Sequence, residues 1–159
     1  MKNLLVAGII GAAMTVSCST AKTAQANRAE FMNLKGDWEI TSVNYDNNYK
    51  VKPFDENADA QCFVGSHWTL VPNNWTGSYM INGGADCPSV IQPIKFEVVN
   101  GTEFKFKKLV EGSKAKEVVS GYSLNLINQT DNQFSLEQNV PADGQNVRIV
   151  YNFERTSAK

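Results

Sequence analysis

Short runs in which apolar and polar residues alternate occupy most of the chain, and turn residues separate them. A period of two is typical of strands that bury one face. No helical period persists beyond two turns, although residues 57–65 lack alternation and are expected to form a short helical turn carrying Cys62. The pattern predicts an antiparallel all-β domain. The predicted strands are residues 36–45, 67–71, 76–82, 94–99, 103–109, 118–128, 133–138 and 147–155.

Several of these runs place large apolar residues on one face only. In the last run Val147, Ile149, Tyr151 and Phe153 share a face. In the fifth run Phe104 points to the opposite face from its charged neighbours, Glu103 and Lys105. One-sided burial is required both by a closed barrel and by a β-sandwich, so the pattern alone leaves these two architectures open.

The turn at Asn100-Gly101 allows a prediction of register. A two-residue loop would pair Phe96 with Lys105, a core residue with a surface residue, although cross-strand partners share a face. We therefore predict a three-residue loop at residues 99–101, with Gly101 at its left-handed position. The predicted pairs are Val98 with Thr102, Phe96 with Phe104 and Ile94 with Phe106.

An apolar run at residues 4–18 follows Lys2 at the start of the chain. It is shorter than the roughly 20 residues needed to cross a bilayer, and its layout is that of a secretory signal. Residues 15–18, Thr-Val-Ser-Cys, resemble the lipobox of bacterial lipoproteins, although Leu is commoner in the place of Thr15. The resemblance implies a signal peptide at residues 1–17 and lipidation of Cys18. The alternative is an ordinary cleaved signal with an incidental Cys18.

Residues 18–30 are small and polar, and we expect them to form a flexible tether ahead of a domain spanning residues 31–156. Ser19 is not the aspartate that retains some lipoproteins in the inner membrane. The lipoprotein resemblance therefore implies attachment to the outer membrane, and the absence of an acidic run in the tether favours its periplasmic face. We expect no contact with the membrane beyond the lipid anchor.

Cysteine count and net charge narrow the picture further. Lipidation of one of the three cysteines would leave Cys62 and Cys87 as a pair in an oxidising compartment. A disulfide between them would close about 26 residues and contribute roughly 3–4 kcal/mol. Two buried thiols or a metal site are the alternatives, but His67 is the only histidine and the set suits zinc poorly. A net charge of -1 with scattered basic residues argues against nucleic acid as a partner.

The opening Leu34-x-Gly36-x-Trp38 resembles the first signature of the lipocalin and calycin barrels, above all of small bacterial lipocalin-like lipoproteins. That resemblance covers residues 31–156 and implies an eight-stranded antiparallel barrel. It also implies that Trp38 plugs the closed end and that Arg155 lies across the indole and bonds to the backbone of the opening segment. The chain lacks the Thr-Asp-Tyr type motif of eukaryotic lipocalins. In the alternative β-sandwich, Trp38 is one more core aromatic.

No residue pattern indicates catalysis, a cofactor or a metal. His67 lies at a strand start with no nucleophile motif, and we expect it to be a hydrogen-bonded strand-end residue. Asp55, Glu56 and Asp59 lack calcium-loop spacing and are expected to be a solvated loop. We therefore expect a protein that is not an enzyme.

The inward-facing aromatic residues are the candidates for binding. We expect a monomer that binds a small, largely apolar molecule in the barrel. The alternative is an interaction module of the cell envelope with a filled barrel, which would bind a protein or glycan through its loops and expose aromatic residues such as Trp75 and Tyr79. An eight-stranded interior is wide enough either to be filled or to hold one small ligand. The ligand-binding candidates are Trp68, Tyr79, Phe96, Phe104, Tyr122, Phe134 and Tyr151.

Overall fold

A computed structural model of the chain describes residues 31–46, 48–110 and 121–156. The predicted signal peptide, Cys18 and the predicted tether lie outside the described residues. Two 3-10 turns, Pro53–Asp55 and Ala60–Phe63, lie between the first two strands. The strands are β1 (Gly36–Asn44), β2 (His67–Val71), β3 (Thr76–Ile81), β4 (Val90–Val99), β5 (Glu103–Lys108), β6 (Tyr122–Ile127), β7 (Gln133–Ala142) and β8 (Gln145–Arg155).

Each strand pairs antiparallel with the next, and β8 returns to pair with β1. The eight strands therefore form a closed barrel in sequence order, which is the predicted lipocalin-like architecture. The closure excludes the β-sandwich, because every strand has a partner on both sides and no sheet edge is left.

Most strand boundaries lie within a few residues of their predicted positions, but β4 and β7 are longer than predicted. Pro93 lies within β4, where it pairs with Ser78 and its carbonyl accepts the Leu109 N–H at 2.9 Å. In β7 the pairing continues through Pro141, which lies opposite Asn146 beside the hairpin turn. A proline at such positions loses only its own donor, and the ladder continues around it.

The predicted register of the β4–β5 hairpin is wrong by two residues. Phe96 lies opposite Phe106, not Phe104, and Val99 lies opposite Glu103. Asn100 and Gly101 both have positive φ, 53° and 74°, so the turn closes on these two residues. Thr102 is then the extra residue of a bulge. Because of this extra residue, core residues pair with core residues across the hairpin, which a two-residue turn without a bulge would not allow. The faces were therefore predicted correctly and the partners were not.

The barrel has two unlike ends. The connections β2–β3, β4–β5 and β6–β7 lie at one end, together with the start of β1 and the end of β8; we call this the closed end. The connections β1–β2, β3–β4 and β7–β8 lie at the other end, together with the end of β5 and the start of β6, and we call this the open end. Between the two ends the inward side chains are almost entirely buried.

A disulfide between Cys62 and Cys87 joins the β1–β2 connection to the β3–β4 connection at the open end. The predicted pairing is confirmed. Cys62 lies in the second 3-10 turn, so the predicted short helical turn is also present, at Ala60–Phe63. Asp59 caps this turn by accepting the Gln61 N–H at 3.0 Å.

Candidate functional site

At the closed end Arg155 covers the ring of Trp38. The two residues are cross-strand partners, and the guanidinium carbon lies 4.1 Å from the indole centroid. The guanidinium donates to the backbone carbonyls of Asn33, Lys35 and Asp131 at 2.7, 2.7 and 2.8 Å. A planar group with donors on three sides can make all these contacts at once, whereas an ammonium cannot. This is the geometry that the lipocalin resemblance implied for Trp38 and Arg155.

Gly36 makes room for that arginine. Its φ of +133° disfavours any residue with a side chain, and a Cβ built there would lie 2.4 Å from the Arg155 Nη1. The Trp38 indole N–H donates to the Leu34 carbonyl at 2.9 Å. Leu34, Gly36 and Trp38 of the opening signature therefore join the start of β1 to the end of β8 at the closed end.

The seven ligand-binding candidates do not line a single space. Phe134 lies at the closed end, 4.7 Å from Trp38 between ring centroids. Phe96 and Phe104 stack on each other at 5.3 Å, away from the barrel's open end, with Trp75 against Phe96. Tyr79, Tyr122 and Tyr151 lie in the half of the barrel that faces the open end, against the β1–β2 connection. Trp68 is the cross-strand partner of Trp38 and stacks on Tyr79 at 4.7 Å between ring centroids.

That half of the barrel is filled by the β1–β2 connection. We call residues 53–63 the plug; its Phe54 and Phe63 rings are 4% and 0% exposed. Phe54 lies at the centre, 5.1 Å from Phe106 and 5.5 Å from Tyr151 between ring centroids. Sequence reasoning missed both residues, because they lie in a connection where no strand period shows which way a side chain points.

The acidic residues of the plug bind the barrel wall. Asp55 accepts a hydrogen bond from the Tyr122 hydroxyl at 2.7 Å. Glu56 accepts from the Tyr79 hydroxyl at 2.6 Å and forms an ion pair with Lys108 at 2.7 Å. The Glu56 side chain is only 11% exposed. The prediction of a solvated acidic loop is therefore wrong for Glu56, whose carboxylate is largely buried against donors from distant strands, whereas Asp55 is exposed as predicted.

A further contact holds the far side of the plug. Asp59 accepts from the Tyr45 hydroxyl at 2.7 Å. Burial, followed by the hydrogen bond to Asp59 and the charge of that carboxylate, raises the pKa of Tyr45 to about 12. Burial and Glu56 likewise raise the pKa of Tyr79 well above its ordinary value. Both phenols therefore stay protonated and act as donors at neutral pH.

The backbone of the plug is strained at its tip. Phe54 and Asp55 have φ of 60° and 51°, in the left-handed region that residues with a Cβ disfavour. Two consecutive residues of this kind persist only where surrounding contacts hold them. The buried Phe54 ring and the two carboxylates are those contacts.

The structure also places the histidine and the two residues of the predicted surface aromatic patch. His67 is exposed, and Trp75 packs between Phe31 and Phe96, while Tyr79 is 1% exposed and cannot belong to a surface aromatic patch. A groove of about 580 Å³ runs over the outer face of β4, β5 and β6.

Within the described part of the chain, no three acidic, histidine or cysteine side chains come together in a way that could hold a metal ion. The same residues contain no helix with the length and apolar character needed to span a membrane.

The sequence matches no protein-family model and no curated protein. Two solved structures of bovine odorant-binding protein, a lipocalin, are similar to it. The complex with a selenium-containing odorant has a TM-score of 0.47 at 11% identity, covering 79% of this chain and 75% of that chain. The complex with the natural ligand has a TM-score of 0.44 at 12% identity, covering 80% and 74%. Similarity this distant carries no argument about family or ligand, and the closed eight-stranded barrel rests on this chain's own strand pairing.

Proposed function

We propose that this protein binds a small, largely apolar molecule without catalysis, in the open-end half of the barrel that the plug now fills. One observation carries the proposal: the central ring there, Phe54, comes from a connection and not from a strand. A strand side chain is fixed by the ladders on both sides, whereas a connection can withdraw at the cost of its own few contacts.

Withdrawal of the plug would uncover a ready aromatic wall. The rings around Phe54 belong to Phe106, Tyr122 and Tyr151, all on strands. An apolar molecule entering this space would recover the burial that the Phe54 side chain now provides, about 1.5–3 kcal/mol for a group of that size. An eight-stranded barrel suits one such ligand.

A fluorescent apolar probe such as N-phenyl-1-naphthylamine tests the proposal. We expect the native protein to bind one equivalent, and Phe54→Ala to bind it more tightly because the competing ring is gone. Phe134→Ala is the matched control, since it removes the same ring at the closed end, against Trp38 and away from the plug. Absence of saturable binding by both the native protein and Phe54→Ala would contradict the proposal.

The packed interior favours a second candidate function, an interaction module that docks a protein or glycan of the cell envelope through its loops. A filled barrel needs no ligand to be stable. Native mass spectrometry of the protein purified from its source distinguishes the two candidates, because a binder should carry a small molecule and an interaction module should not.

The location of the protein is part of the proposal. We propose that it is a lipoprotein attached by Cys18 to the outer membrane and facing the periplasm, and that it is a monomer. The support is the lipobox-like sequence at residues 15–18, together with a disulfide, which suits an oxidising compartment. Cys18→Ser should abolish incorporation of labelled palmitate and release the protein from the membrane fraction. A variant that still incorporates label and still fractionates with the outer membrane would show that the lipid is elsewhere.

A further inference from the structure

We propose that the ligand of the open-end site carries a carboxylate next to its apolar body, and that residues Phe54, Asp55 and Glu56 occupy the site as a built-in imitation of it. This inference rests on the proposed function and names the chemical class of the ligand.

The apolar part of the imitation is the Phe54 ring. Four rings surround it at centroid distances of 5.1–5.5 Å, and it is 4% exposed. Three of those four rings, Phe106, Tyr122 and Tyr151, belong to the barrel wall. The wall therefore forms a pocket matched to a flat ring, and the plug supplies the ring.

The polar part is the pair of carboxylates that directly follows the ring. The wall presents three donors to them: the hydroxyls of Tyr79 and Tyr122 and the ammonium of Lys108. The donors come from β3, β5 and β6, whereas both acceptors, Asp55 and Glu56, come from the plug. The wall thus contributes donors and a cation, and the plug contributes the anions.

This division of donors and acceptors decides which ligand can replace the plug. If the plug withdrew for a neutral ligand, the half-buried ammonium of Lys108 and the Tyr79 hydroxyl would lose Glu56 as their acceptor. Leaving such groups unpaired costs free energy, and more so for a charged group. A carboxylate on the ligand restores the pairing, and the ammonium and phenol donors are well suited to it.

The backbone strain at the tip of the plug also favours replacement of the plug by a ligand. Phe54 and Asp55 have φ in the left-handed region, Phe54 with a buried ring and Asp55 with a carboxylate that accepts from the Tyr122 hydroxyl. A ligand that takes over those contacts lets both residues relax to ordinary backbone angles, which partly offsets the contacts that the plug loses.

The test compares three compounds with one body: 4-phenylbutyrate, 4-phenylbutanol and 4-phenylbutylamine. Binding is measured by calorimetry on the full chain carrying Cys18→Ser, which keeps acyl chains and detergent out of the assay, and on the same chain with Phe54→Gly. We expect the acid to bind about tenfold more tightly than the alcohol or the amine. Phe54→Gly should tighten all three compounds and preserve their order, because it empties the ring pocket and leaves the donors in place.

Two further variants assign the preference to the wall donors. Lys108→Gln and Tyr122→Phe should each reduce the preference for the acid to a few-fold. The acid loses a donor on the wall, whereas the alcohol binds as well or better because each variant also removes a contact that holds the plug. Lys105→Gln is the matched control, because Lys105 carries the same charge on the outer face of the same strand and pairs with Glu103. Loss of the preference in Lys105→Gln to the same extent would overturn the inference, because it would indicate a non-specific effect of charge.

Hydrogen exchange then tests the imitation itself. Saturating 4-phenylbutyrate should speed exchange in residues 53–59, because the plug leaves the barrel. Unchanged exchange on binding would overturn the inference. Equal affinities for the acid and the alcohol would overturn the inference while leaving the proposed function intact. Absence of binding by all three compounds, in both the native background and Phe54→Gly, would overturn both.

Discussion

The two ends of the barrel are closed by different kinds of contact. At the closed end Arg155, a strand residue, donates to three backbone carbonyls and covers Trp38. At the open end the plug, a connection, is held by side-chain pairs such as Glu56 with Lys108 and by the disulfide of Cys62. The central closed-end contact joins two strand residues, Trp38 and Arg155, that are cross-strand partners, whereas the open-end contacts join a connection to the strands.

This difference separates a structural end from an exchangeable one. The closed-end contacts form along with the ladders between β1 and β8, and they stabilise the fold itself. The open-end contacts can be lost while every strand keeps both partners. We therefore expect mutations at the closed end to change global stability and mutations in the plug to change local opening.

The largest contrast should come from removing one buried phenylalanine at each end. Phe134 lies 4.4 Å from Phe153 and 4.7 Å from Trp38, and Phe134→Ala should cost about 3–5 kcal/mol because the fixed strands cannot collapse onto the cavity. Phe54→Ala should cost about 1.5–3 kcal/mol, the loss of apolar burial without a full cavity term. Urea unfolding of both variants measures the difference. Equal costs would show that the plug is as rigid a part of the core as the strands.

The disulfide should contribute the next largest effect. The double variant Cys62→Ser, Cys87→Ser should lower the free energy of unfolding by roughly 2–5 kcal/mol, since the bridge restricts a long loop of the unfolded chain. Hydrogen exchange of residues 53–63 should rise more than that of the closed-end strands, because the plug also loses its covalent tie. An equal rise at both ends would contradict a separate role for the plug.

The closed end could be predicted from the sequence and the plug could not, for a physical reason. Trp38 and Arg155 lie on strands, where a period of two decides which face each side chain takes. The same period gave the faces of the β4–β5 hairpin correctly, but it does not fix which residues form the loop. The loop is residues 100–102 and not 99–101, so every partner differs by two from the predicted one. Phe54 lies outside any period, so its inward direction depends on contacts with β5, β6 and β8 that only the folded chain brings together.

Arginine at position 155 is the next contact to test. Arg155→Ala should cost about 2 kcal/mol, because it uncovers the indole of Trp38 and leaves backbone carbonyls without a donor. Arg155→Lys should recover only part of this, since an ammonium cannot serve three carbonyls in a plane. Thermal unfolding of the two variants gives the order, and a lysine variant as stable as the native protein would show that charge alone matters.

Gly36 provides a second variant for the same contact. Gly36→Ala should displace the guanidinium, because a Cβ there meets the Arg155 Nη1. The double variant Gly36→Ala, Arg155→Ala should therefore be less destabilised than the sum of the single variants. Strict additivity would mean that the strain at Gly36 is independent of the arginine.

The smallest effect should be a loss of unfolding free energy at alkaline pH, caused by ionisation of Tyr45 at the open end. The neutral phenol of Tyr45 is favoured in the folded state, because burial and Asp59 raise its pKa to about 12 from the ordinary value of 10.0. Its contribution to stability is therefore fully present below pH 10 and is lost as the pH rises through the folded value near 12. Tyr45→Phe should flatten the fall of unfolding free energy with pH in this window, and Asp59→Asn should move the phenol's titration toward its ordinary range. Absorbance at 295 nm follows the phenolate directly, and the difference between the native and Tyr45→Phe titration curves isolates the Tyr45 phenol. A difference that develops around pH 10, the ordinary pKa of tyrosine, would mean that the Asp59 contact does not hold the plug in solution.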